Sequence, residues 1–75
     1  MKKEFKAPDF QENDLELRVE DGEVCIYATK SGLQALSDFC VKLINKPDIG
    51  HIHLEDYEIL TPSSLQGVIA IFEKQ

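Results

Sequence analysis

The chain has no apolar run approaching the roughly 18 residues that cross a bilayer, and residues 1–14 mix charges without the continuous apolar core of a signal peptide. It reads as a soluble, cytoplasmic protein. Basic residues are scarce: eight Lys and Arg stand against fourteen Asp and Glu, a formal charge of −6. That balance repels phosphate backbones and anionic headgroups, and so argues against nucleic acid and membranes as partners. Cysteines number two, whereas a secreted domain of this size normally carries several bridges. Cys25 and Cys40 therefore read as free thiols. Neither belongs to a Cys-x-x-Cys pair, and the chain has no Gly-rich phosphate loop, His-Glu-x-x-His helix or Gly-x-Ser-x-Gly elbow. No catalytic residue and no cofactor is assigned, and the expected class is a non-enzyme.

What remains is 75 residues, 43% apolar and 29% charged, the composition of one small packed domain. Residues 1–14 carry Phe5 and Phe10 at no regular period and read as a flexible arm; residues 15–75 form the domain. Leu15, Leu17 and Val19 alternate with Glu16, Arg18 and Glu20, the period of a half-buried strand. Asp21-Gly22 supplies the pair that tolerates positive φ at both centres of a type I′ turn. A two-residue loop fixes the register of the returning strand: Val19 faces Val24, Leu17 faces Ile26 and Leu15 faces Ala28. The other side then pairs Arg18 with Cys25 and Glu16 with Tyr27.

Ser31-Gly32-Leu33-Gln34 fits a capping box, so a helix is expected from Ser31. Leu33, Leu36, Phe39, Cys40, Leu43 and Ile44 form its apolar stripe, and Pro47 stops it near Asn45 or Lys46. His51 to Glu55 alternates again as a third strand, 56–64 reads as a loop, and Gln66 to Glu73 reads as a last strand with a bulge at Gly67. The sum is ββαββ: an α+β two-layer sandwich in which one helix covers one side of a four-stranded, mainly antiparallel sheet. Leu15, Leu17, Val19, Val24, Ile26, Ile52 and Leu54 are expected under the helix. Glu16, Arg18, Tyr27, His51, His53 and Glu55 are left on the open side, as candidate partner-binding residues. Cys25 points away from the helix carrying Cys40, which disfavours a bridge.

His51, His53 and Glu55 stand on one face at steps of about 6.6 Å, and two imidazoles so placed can share a zinc ion. The set lacks further ligands, so no metal site is assigned. The clustered acids, from Asp9 to Glu23 and from Asp48 to Glu58, keep a small protein soluble and would also steer a basic partner. Ser63 and Ser64 have no base beside them and read as loop caps.

Gly32-Leu33 leading into an apolar helix, then His51-Ile52-His53-Leu54, then Leu60, Ser64 and the terminal apolar strand, resembles the immunity proteins of bacterial polymorphic toxin systems. Within them the likeness is to the small α+β group named immunity protein family 32, over roughly residues 15 to 73. The resemblance implies a non-catalytic cytoplasmic protein that binds a cognate toxin domain and blocks its active site; the acidic charge of the chain suits a basic one. Two alternatives stay open: a homodimeric interaction module that closes its open sheet on itself, and a metal-binding protein using His51 and His53.

Overall fold

The structure, a computed structural model, describes residue 10 and residues 12–72. The expected arm falls largely outside this range. Its described end is tied down: the Asp14 and Leu15 amides both donate to the Ile59 carbonyl, and the Asn13 side chain donates to Leu60.

The fold is α+β, with the helix between two hairpin-like pairs. Strand β1 (Leu15–Glu20) pairs antiparallel with β2 (Glu23–Ala28) in the expected register, from Leu15 opposite Ala28 to Glu20 opposite Glu23. Asp21 and Gly22 hold φ of 51° and 78°, the paired left-handed centres of a type I′ turn. Helix α1 (Lys30–Asn45) stops where Lys46 caps it, immediately before Pro47. Its N-cap is Thr29 and not the expected Ser31. The Thr29 hydroxyl accepts from the Gly32 amide, while its amide and hydroxyl both donate to Asp14, so a tertiary contact selects the cap. A Cβ on Gly32 would stand 2.2 Å from the Asp14 carbonyl oxygen, so this close approach requires glycine.

The expected four-stranded sheet is corrected to two separate two-stranded sheets: β1 with β2, and β3 (His51–His53) with β4 (Val68–Ala70). β3 is shorter than its alternating pattern suggests, because Leu54–Tyr57 coils into a 3-10 turn that ends at Glu58 with φ of 52°. Residues 59–65 run beside β1 on the edge opposite β2. Leu15 meets Leu60 in a parallel bridge, the Thr61 amide donates to Leu15 and the Leu65 amide donates to Leu17. Pro62 has no N–H to continue that ladder. The Ser64 hydroxyl takes over, accepting from the Leu17 amide at 2.8 Å and donating to the Leu65 carbonyl, which is the loop-cap role expected of it. The last segment therefore divides its length, serving β1 first and β3 afterwards. Gly67 lies at the crossing, where a Cβ would come within 2.4 Å of Leu17 Cδ1; close packing, not a bulge, is its role.

Burial corrects the expected faces. Leu15, Leu43, Ile52 and Leu54 are buried as expected, but Val19, Val24 and Ile26 are 61%, 75% and 53% exposed. The helix lies over the Leu15 end of the hairpin and leaves the turn end uncovered, as the Asp14 contacts at Thr29 and Gly32 dictate. Its buried stripe is correspondingly narrow: Leu43 is buried, Leu36 and Phe39 are half-buried, and Leu33, Cys40 and Ile44 are exposed.

Candidate functional site

The six residues expected on one open face separate into two clusters, one on the β1–β2 hairpin and one on β3 and the 3-10 turn that follows it. The first lies on the hairpin. Glu16, expected exposed, is only 2% exposed. Its carboxylate accepts from the Thr61 hydroxyl and pairs with the Arg18 guanidinium, which also reaches Glu20 at 3.3 Å. Arg18 stacks over the Tyr27 ring at 4.8 Å, and the Tyr27 hydroxyl donates to Glu20 at 3.0 Å. Strand alternation places Glu16, Arg18 and Glu20 on one face, and the register brings Tyr27 opposite Glu16. The Thr61 hydrogen bond holds the Glu16 carboxyl below its ordinary value; burial opposes this and Arg18 reinforces it. The Tyr27 hydroxyl is pushed up, first by burial and then by Glu20. This cluster is a clasp that fastens residues 59–65 to β1.

The second cluster has two exposed histidines and a half-buried Glu55. His51 and His53 face the same way with ring centroids 4.9 Å apart, and His53 Nδ1 lies 3.1 Å from Glu55 Oε2. The Glu55 carboxyl is held low, chiefly by its own backbone N–H, against burial and with further help from the Gly67 N–H and His53. Among the described residues, no group of three His, Cys, Asp or Glu is arranged to hold a metal ion. Cys25 and Cys40 are both free thiols.

An apolar opening for contact lies on the other face of the hairpin. A groove of about 350 Å³ opens between the turn end of the hairpin, the helix and residues 65–69, lined by Val19, Val24, Ile26, Leu36, Leu65 and Val68 among others. All but Leu36 of these six are exposed by more than half of their surface. Apolar patches left open in this way mark interaction surfaces. The hairpin tip beside it carries Glu20, Asp21 and Glu23. Alternation predicts Val19, Val24 and Ile26 in the core, so this surface is not legible from the local pattern. The available signal was surplus: both hairpin strands, both parities of the last strand and the helix stripe are apolar, more than one short helix can cover. Among the described residues, no helix is long and apolar enough to cross a membrane. No protein-family model, curated protein or solved structure matches the chain.

Proposed function

We propose that this chain is a toxin-immunity protein, which binds a basic toxin domain stoichiometrically and blocks it without catalysis. The observation that carries the reading is the apolar groove at the hairpin, open to solvent beside an acidic tip. An apolar centre supplies the contact energy, and acidic residues around it raise the rate at which a cationic partner arrives. The surplus of six negative charges favours the same class of partner. No nucleic acid or membrane is required. The site moves from the face of Glu16, Arg18 and Tyr27, which the clasp occupies, to the groove on the opposite face. His51, His53 and Glu55 retain a place only as outlying polar contacts.

The test is coexpression in bacteria with the toxin domain encoded beside this gene. Wild type should restore growth and co-purify with the toxin at equal stoichiometry. Leu65→Lys and Val68→Lys, both at exposed positions, should keep the far-UV circular dichroism spectrum and lose protection. Protection by both variants would place the interface elsewhere, and failure of wild type to protect would remove the toxin reading.

A further inference from the structure

Strand β3 presents two imidazoles to solvent. Alternation places His51 and His53 on the same side, opposite to the buried Ile52, and the ladder with β4 fixes both backbones, with His51 across from Ala70 and His53 across from Val68. Side chains two positions apart on a strand leave the backbone about 6.6 Å from each other, yet the two ring centroids stand 4.9 Å apart, with planes at 86° so that the rings do not stack. That separation suits a shared ion. A Zn–N bond of about 2.0–2.1 Å, with about 1.1 Å more from the nitrogen to the ring centre, puts two imidazoles on one tetrahedral ion with their centres about 5 Å apart.

Glu55 supports the pair from one side. Its Oε2 lies 3.1 Å from His53 Nδ1, and its carboxyl is held low by its own backbone N–H and that of Gly67. An ionised carboxylate only accepts, so Nδ1 carries the proton and Nε2 of His53 keeps its lone pair. A carboxylate that orients a histidine in this way is the usual outer partner of a metal-bound imidazole. From Pro47 to Phe72 the chain carries Asp48, Glu55, Asp56 and Glu58 and no Lys or Arg, so the charges of this segment favour a cation.

We infer that His51 and His53 chelate one Zn2+ ion through one ring nitrogen each, Nε2 in His53, while Glu55 orients His53 from outside the coordination shell. Imidazole nitrogen selects this class of ion over Mg2+ and Ca2+, which take oxygen ligands. Two protein ligands are fewer than a self-contained site needs, in keeping with the lack of a three-residue group among the described residues. The remaining positions fall to water or to a donor from another molecule. The site is therefore an open one at the surface and not a structural centre. None of its three residues lines the groove assigned to the toxin, so the two readings are independent.

Calorimetric titration of the whole chain with zinc chloride, slightly above neutral pH in a buffer that does not bind metal, should show one ion per chain. Cys40→Ser should bind as wild type does, which excludes the exposed thiol as the ligand. His51→Ala and His53→Ala should each weaken binding tenfold or more with the far-UV circular dichroism unchanged. Glu55→Gln, which keeps the shape and loses the charge, should weaken it about tenfold, the low end of the range for an outer partner. Millimolar Mg2+ should not compete. Wild-type affinity in both histidine variants, loss of binding in Cys40→Ser, or displacement by Mg2+ each overturns the site, and unchanged affinity in Glu55→Gln overturns the orienting role. The titration contains no toxin, so its failure leaves toxin protection by wild type standing, and the reverse holds equally.

Discussion

The Thr61 hydroxyl donates to a carboxylate oxygen of Glu16, a residue 45 positions earlier, and both residues are buried. This bond, with the ion pair to Arg18, turns an acid from a solvent-facing strand position into the anchor of the 59–65 segment. Thr61→Val keeps the shape and removes the donor, leaving a buried carboxylate short of one partner. The expected loss is about 1.5–3 kcal/mol, the range for a hydrogen bond to a charged group. Urea denaturation of the two proteins checks it, and equal midpoints would show the clasp to be incidental.

Acid should loosen the same clasp. Because the folded Glu16 pKa lies below its unfolded value, its contribution is complete above the unfolded carboxylate range, near pH 4.3, and falls away as pH drops through the lower folded value. Glu16→Gln cannot titrate. Its stability should therefore vary less steeply with pH than that of wild type between about pH 5 and 2, and the gap between the two should narrow toward the acid end. Parallel stability curves across that interval would assign the acid transition to other carboxylates.

Gly32 offers a test with an unusual sign. In most helices Gly→Ala gains about 1 kcal/mol. Here the added Cβ would meet the Asp14 carbonyl oxygen at 2.2 Å, and backbone cannot swing away as a side chain can. Gly32→Ala should lower the melting temperature. A raised melting temperature would mean that the Asp14–Thr29 contact does not hold the helix N-terminus in place.

Along the helix, Leu43 is buried and Val41 is half-exposed. Leu43→Ala should cost about 2–5 kcal/mol through lost contacts and a residual void, a large fraction of the roughly 3–5 kcal/mol such a small core supplies. Val41→Ala and Leu33→Ala, at exposed positions, should stay within about 0.5 kcal/mol of wild type. Chemical denaturation of the three variants separates the buried stripe from its neighbours, and equal losses would contradict this helix orientation.

The hairpin was legible to the residue, because a two-residue Asp-Gly loop leaves one register and that register matched apolar with apolar. The helix end was legible from Pro47, but its start was not. Thr29 and Ser31 are both credible caps by type, and only the fold, by bringing Asp14 to Thr29, decides between them. The open face is not legible for a similar reason. Alternation shows that Glu16 and Leu17 point in opposite directions, and polarity alone suggested that Glu16 was the exposed one. What buries it is Thr61, whose approach depends on Pro62 breaking the ladder and Ser64 mending it, contacts that no local period records. The same long-range docking divides the last segment between β1 and β3 and replaces one expected sheet by two.

The central claim is that the groove between the hairpin and the helix, and not the face of Glu16 and Arg18, receives the partner. Calorimetric titration of the proposed toxin partner with wild type, Leu65→Lys and His53→Ala tests it most directly. The account predicts one-to-one binding by wild type, at least tenfold weaker binding by Leu65→Lys, and an affinity within about threefold of wild type for His53→Ala, a rim change worth at most about 0.7 kcal/mol. Unaltered affinity in Leu65→Lys together with a tenfold loss in His53→Ala would contradict it, and would return the interface to the histidine face.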